Sequence, residues 1–346
     1  MKKINFSSDE FMNGLYESFL NNPYENAVDS KSALQAGELI KNQAKALFSI
    51  DCIPNKIKDF QPSEIGKPLI YPKYTLRKYS VEICKGLTML FYMLEPNSNN
   101  SKAPAVVALC GHGYGVRQIL NISKKGNKKR FNYLDNYQKN FAAELAERGC
   151  IVIAPELFGF GEARLNKDLY KPFYISSCDE LSHHLLPYGL TVASMRVYQA
   201  TVCAQILLKH KNVNSDKLSC MGISGGGLTA LYASVIEESF KKIVISGYVN
   251  TFRDSILSRW HCPDNYIPGI IKIGEIYDFA AALAPRELLI ESGVRDKLFP
   301  IFASRQAHEK IKNIYSLVGA EDKLIIDVFD GKHSVSGRKS FDFLSE

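Results

Sequence analysis

Three residues of this 346-residue chain stand in surroundings that suit nucleophilic catalysis, in the order Ser224, Asp296, His333. Ser224 lies in Gly222-Ile223-Ser224-Gly225-Gly226, after the apolar run 217–223 and before the helix-like run 226–237. A serine at the tip of a tight strand-to-helix turn needs small neighbours, and Gly222 and Gly226 supply them. The helix start behind it would face developing negative charge. A serine hydroxyl is a weak nucleophile until a histidine takes its proton, and that histidine needs a carboxylate to hold its tautomer. Asp296 follows the strand-like run 287–291, and His333 follows the last one, 323–328. Both belong at the carboxyl ends of strands, where such groups can converge. Glu291 is the rival acid, but it falls in or at the end of its strand.

Acyl transfer also needs donors for the oxyanion. The backbone N–H of Gly225 follows the nucleophile directly. The second donor is expected from the glycine-rich segment Cys110-Gly111-His112-Gly113-Tyr114-Gly115, with Tyr114 the leading candidate. His112 in that segment braces the loop or lies beneath a substrate pocket. Gly111-x-Gly113 does not continue as a dinucleotide fingerprint, because Val116 stands where the third glycine belongs.

The elements that must position these groups alternate. Two extended runs, 71–79 and 81–94, have period two and read as antiparallel strands. Strands are then expected at 105–109, 150–154, 217–223, 242–246, 287–291 and 323–328. Helices are expected at 134–148, 189–210, 226–237, 304–315 and 335–344. This alternation, with β-branched strands, indicates an α/β fold: a mostly parallel central sheet with helices on both faces. A helix over 31–50, with Leu34, Ala36, Leu39, Ile40, Ala44, Leu47 and Phe48 on its apolar face, belongs to an N-terminal helical extension, 1–67, packed on a catalytic domain, 68–346. The extension could line the mouth of the site or form a contact between copies in a homo-oligomer. Two long insertions, 156–188 and 248–276, read as walls facing substrate. They carry Phe158 and the single tryptophan, Trp260, each read either as a pocket wall or as packing.

Composition excludes other classes. Hydrophobic residues make up 46% and charged residues 23%, which supports a core rather than disorder. The net charge of +7 is mild, and the one basic cluster, 124–130, has no aromatic platform around it, so nucleic acid is not an expected partner. No apolar run is long enough to cross a membrane. The eight cysteines form no C-x-x-C pair and no apolar leader follows Met1, which together indicate a reduced, cytoplasmic protein. There is no H-E-x-x-H motif and no Walker lysine, and the adjacent pair His183-His184, read as loop, lacks zinc spacing; neither metal nor other cofactor is expected.

Gly111-His112-Gly113, the serine pentapeptide, Asp296 and His333 together resemble the α/β-hydrolase superfamily. Within it the chain is most similar to dienelactone-hydrolase and acetyl-xylan-esterase-like bacterial carboxylesterases, over roughly 68–346. The segment Pro155-Glu156-Leu157-Phe158-Gly159-Phe160-Gly161 resembles their Pro-Asp-x-x-Gly-x-Gly stretch, with glutamate in place of aspartate. Serine stands where true dienelactone hydrolases carry cysteine, and Gly-His-Gly stands where one sugar-deacetylase family carries Arg-Gly-Gln. The resemblance implies a serine carboxylesterase for small, short-acyl esters. A serine peptidase or amidase of the same fold, or a carbohydrate deacetylase, is the alternative.

Overall fold

A computed structural model describes residues 8–97, 102–123, 127 and 136–346. Apart from Asn127, the basic cluster 124–130 lies outside the described residues, as do the first two residues of the helix expected at 134–148.

Among the described residues nine strands form one sheet: β1 (Ser63–Ile70), β2 (Tyr74–Cys84), β3 (Leu87–Pro96), β4 (Ala103–Leu109), β5 (Ile151–Pro155), β6 (Val213–Ile223), β7 (Lys242–Ser246), β8 (Glu287–Gly293) and β9 (Leu324–Phe329). Their order is β1-β2-β3-β5-β4-β6-β7-β8-β9. The first three strands and β5 pair antiparallel, and every pair from β5 through β4 to β9 is parallel. The central parallel strands β4 and β5 are apolar and almost wholly buried because helices cover both faces.

The helices are α1 (Asp9–Phe19), α2 (Ser30–Phe48), α3 (Arg117–Leu120), α4 (Phe141–Glu147), α5 (Cys178–Leu185), α6 (Val192–Leu208), α7 (Gly225–Ile236), α8 (Ile276–Ala281), α9 (Ile301–Leu317) and α10 (Ser340–Ser345). In α6 and α7 nearly every residue is buried, so neither shows the one-sided periodicity of a surface helix.

Several boundaries differ from the sequence reading. The break between the first two extended runs is not at Ser80, which pairs with Leu90 inside the hairpin; the chain turns at Lys85-Gly86, where Gly86 adopts φ +83°. The sheet begins earlier, since β1 crosses the expected boundary between 67 and 68 and pairs its exposed residues with β2. The closing helix is confined to Ser340–Ser345, because 335–339 is spent on hydrogen bonds around the site. The first insertion holds α5, which places His183 and His184 in a helix rather than a loop, both exposed.

The N-terminal helix α2 begins at a capping box, with Asp29 Oδ1 accepting from the Ser32 amide at 2.8 Å. Its buried face is Ala33, Gly37, Ile40, Ala44 and Phe48, while Leu34 and Leu39 of the expected face point outward. Gly37 lies where α2 packs on the end of α8, with room for a Cβ at an ordinary 3.6 Å from Ala282 Cα. Phe48 is fully buried, its ring 4.9 Å from that of Tyr232 on α7, the helix that starts at Ser224. The extension therefore shares a core with the helix that starts at Ser224. Phe48→Ala should cost about 3–5 kcal/mol in urea unfolding; a loss below about 1 kcal/mol would mean that α2 is merely laid on the surface.

Candidate active site

Ser224 adopts φ 58° and ψ −122°, a backbone conformation that L residues rarely hold. Packing enforces it. A Cβ at Gly222 would run into the Gly226 carbonyl, and one at Gly226 into the Leu109 carbonyl at the end of β4. One at Gly111 would stand 3.2 Å from Ser224 Cβ and 2.8 Å from the Ile223 carbonyl oxygen. The Ser224 amide donates to the Ser246 carbonyl at the end of β7 at 3.0 Å, which ties the turn to the neighbouring strand.

Asp296, in the loop after β8, is buried. Its Oδ2 lies 2.7 Å from His333 Nδ1, and its Oδ1 accepts the amides of Leu298 at 2.8 Å and Phe299 at 3.1 Å. Both oxygens are occupied as acceptors, which suits a carboxylate that orients an imidazole and does not itself take a proton. The His333 ring is sandwiched between Tyr137, centroids 5.8 Å apart, and Phe299, 5.6 Å apart, both nearly parallel to it. Its Nε2 is buried and, among the described residues, has no hydrogen-bond partner. Gly247, at φ +56°, lets the ring edge pack closely, since a Cβ there would stand 3.1 Å from His333 Cε1.

The loop that carries His333 is anchored by two buried carboxylates. Glu291 accepts from the amides of Ser336 at 2.9 Å and Gly337 at 3.0 Å and from Ser340 Oγ at 2.6 Å. Asp327 accepts from Ser336 Oγ at 2.6 Å and Arg338 Nε at 2.7 Å. Glu291, the rival acid, is thus committed to holding the chain after His333. His308 lies inside α9 with Nε2 3.2 Å from Ser292 Oγ, and burial lowers its pKa to about 4.

The loop after β4 is shaped by polar groups from 136–140. Gln138 Oε1 accepts the Gly111 amide at 2.8 Å, and Gln138 Nε2 donates to Gln118 Oε1 at 3.0 Å. The Tyr114 amide reaches the same Gln118 oxygen through a long bond of 3.4 Å. Tyr137 Oη donates to the His112 carbonyl. Tyr137 and Gln138 carry no signal in the sequence, because no local pattern marks a residue that acts on a loop some 25 positions away.

His112 lies over the turn: a Cβ at Gly225 would stand 2.9 Å from its ring. Its Nε2 is 3.1 Å from Asp264 Oδ2, and its ring meets Phe160 edge-on at 4.8 Å. Burial opposes its charge, yet the Asp264 carboxylate beside it lifts its pKa to about 9. Asp264 also pairs with the fully buried Arg196 of α6, whose guanidinium stacks 3.8 Å from the Phe160 ring. Of the expected pocket residues, Phe158 is half-buried, with its amide on Gln199 and its carbonyl on Arg196. Trp260 is 78% exposed, so burial does not anchor the second insertion through it. Its neighbour His261 lies 5.9 Å from the Phe299 ring that stacks on His333.

Comparison with known proteins agrees with this architecture. No protein-family model matches the chain. It is 23% identical to YtaP of Bacillus subtilis (strain 168), named as a hydrolase, over 237 residues that cover 67% of this chain and 73% of that one. A structure from Bacteroides fragilis named as an acetyl xylan esterase superposes with a TM-score of 0.79 at 17% identity, covering 94% of this chain and 83% of that chain. A glucuronoyl esterase from Solibacter usitatus gives a TM-score of 0.61 at 14% identity over 92% and 93% of the two chains. Acetyl xylan esterase 1 from Thermoanaerobacterium sp. gives 0.56 at 15% over 96% of both. The chain has the α/β-hydrolase fold. Among the described residues, no helix is long and apolar enough to cross a membrane.

One carboxyl near the site is held unusually. Glu156, fully buried after β5, accepts from the amides of Val116 at 3.0 Å and Glu162 at 3.3 Å, bridging the loop after β4 to the first insertion. Gly115 and Gly161 leave the room its carboxyl fills. Burial raises its pKa to about 7. Between its ordinary value and about 7 the folded protein keeps a proton that the unfolded chain releases, so this group makes stability fall as pH rises through that window. Glu156→Gln does not titrate, and the melting-temperature gap between wild type and variant should shift in the variant's favour from pH 5 to pH 8. A gap independent of pH would show that Glu156 titrates normally.

Proposed function

We propose that the chain is a serine carboxylesterase that hydrolyses small esters through an acyl-serine intermediate. The observation that carries the reading is one edge of one sheet: Ser224 on its strained turn after β6, with the His333–Asp296 pair at 2.7 Å after β9 and β8. In this reading Ser224 Oγ attacks the ester carbonyl and His333 Nε2, buried and unpartnered, takes its proton. Asp296 holds the Nδ1–H tautomer and stabilises the imidazolium. The oxyanion is met by the Gly225 amide at the start of α7 and by the Tyr114 amide, which exchanges its long bond to Gln118 for a shorter one. Gln118 loses little, since Gln138 also donates to it. His333 then protonates the leaving alcohol and activates the water that releases the acid.

A second reading concerns the alcohol. Tyr114 and Tyr174 expose 39% and 56% of their surfaces and meet edge-on at 6.2 Å, and Trp260, 78% exposed, adjoins His261, whose ring lies 5.9 Å from Phe299. Exposed aromatic faces suit a sugar ring, so an ester carried on a carbohydrate is favoured over a peptide or simple amide. The acetyl xylan and glucuronoyl esterases among the structural neighbours lend the same direction. Partners are then small-molecule esters, and a cytoplasmic location remains part of the proposal.

Ser224→Ala should lower hydrolysis of short p-nitrophenyl esters by about 10⁴-fold or more and abolish labelling by a fluorophosphonate probe. Asp296→Asn should lower kcat by about 10³–10⁴-fold while leaving probe binding geometry intact. Wild-type turnover by Ser224→Ala would sink the assignment. Across a C2 to C10 ester series the rate should peak at the short end, and acetylated sugars should be turned over faster than aminoacyl amides; a peak at C8 or beyond, or faster amide cleavage, would reverse the substrate reading.

A further inference from the structure

Beside Gly225, the residue after the nucleophile, four side chains point their donor atoms at one another. They are His112 from the loop after β4, Cys178 at the start of α5, and Cys262 and Asp264 from the second insertion, and their nitrogen, sulfur and oxygen atoms all lie within 4.8 Å of one another. We propose that these four residues form a zinc(II) site that staples both insertions to the loop supplying the oxyanion donor.

The geometry is close to what the ion requires. Zinc bonds of about 2.0–2.3 Å in a tetrahedron place neighbouring ligand atoms roughly 3.3–3.8 Å apart, so closing the cluster needs movements of about 1 Å or less. His112 Nε2 already lies 3.1 Å from Asp264 Oδ2, yet it is buried and makes no aligned hydrogen bond to it or to any other described residue. Two thiols, an imidazole and a carboxylate form a donor set that favours zinc over hard cations such as magnesium. Both thiols are free.

The surroundings supply what such ligands need from outside. Arg196 Nη2 donates to Cys178 Sγ at 3.0 Å and Nη1 to Asp264 Oδ2, while Nε is held by the Phe158 carbonyl at 3.0 Å and the guanidinium plane by Phe160. Arg196 is thus pinned at the rim, with its donors on the outer lone pairs of two ligands. Asn265 Nδ2 holds the other Asp264 oxygen at 2.6 Å. Two thiolates and one carboxylate against one zinc ion leave a single negative charge, which the buried guanidinium neutralises. Binding releases the two thiol protons and any proton on His112 to solvent. Four protein ligands leave no open position, so the ion has a positioning role: it fixes the His112 ring against Gly225 and leaves the hydrolytic chemistry to Ser224.

The test does not depend on ester hydrolysis. The full chain, stripped with a chelator and dialysed under reducing conditions, is titrated with Zn²⁺ against a chromophoric competitor, and separately with Co²⁺. One equivalent should bind, and the cobalt form should show tetrahedral d–d bands with thiolate-to-cobalt charge transfer. Cys178→Ser and Cys262→Ser should each weaken zinc binding by about 100-fold or more and reduce the charge-transfer band, whereas Cys52→Ser, at an exposed thiol, should change neither. No stoichiometric binding, or a wild-type cobalt spectrum without charge transfer, would overturn the site. The wild-type spectrum decides even if a cysteine variant fails to fold. Ser224→Ala should keep the cobalt spectrum intact, which separates failure of this site from failure of the esterase reading.

Discussion

The structure depends on how closely the turn at Ser224 can approach the end of β4. The Gly226 Cα sits against the Leu109 carbonyl and the Gly222 Cα against the Gly226 carbonyl, with no room for a side chain at either. That contact forces Ser224 into its positive-φ conformation, and burial of the whole of α7 behind it holds the turn there. Local strain of this kind costs on the order of 1–3 kcal/mol and persists only where surrounding packing over-determines it. Here the packing includes a helix from the N-terminal segment: Phe48 of α2 against Tyr232 of α7. What looks like an appendage along the chain is part of the support beneath Ser224.

A second theme is the use of buried carboxylates as clamps on loops. Glu156 joins the loop after β4 to the first insertion, Glu291 and Asp327 hold the segment behind His333, and Asp296 holds the histidine itself. Asp264, with Arg196, ties the second insertion to His112. A buried carboxylate is costly unless hydrogen-bonded, and each of these is met by backbone amides or paired side chains. Two or more donors per clamp make the loop geometry specific, because losing one leaves an uncompensated buried acceptor.

The N-terminal segment and the hairpin show where periodicity misleads. The apolar residues of α2 do not all lie on one side: Ile40, Ala44 and Phe48 are buried while Leu34 and Leu39 are exposed, and which of them face inward depends on where α7 and α8 lie. The break near Ser80 was a change of composition within one strand, whereas the real turn needed the positive φ of Gly86. The short closing helix is a similar case: Ser336 and Gly337 spend their amides on Glu291 instead of on helical bonds.

The sequence by itself determined the alternating α/β order, the strand ends that carry Ser224, Asp296 and His333, and the glycines that the serine turn requires. Those features are legible because a strand, a tight turn and a helix start lie within a few consecutive residues, and their chemistry is local. Tertiary structure alone decided that Glu291 serves the His333 loop and not its imidazole, and that Gln118 and Gln138 shape the loop of Tyr114. It also brought His112, Cys178, Arg196, Cys262 and Asp264 together from four separate segments. Most of these contacts join residues tens of positions apart, as Gln138 to Gly111 and Arg196 to Asp264 do, and no short-range pattern encodes them. They follow from which strand ends become neighbours once the sheet has formed.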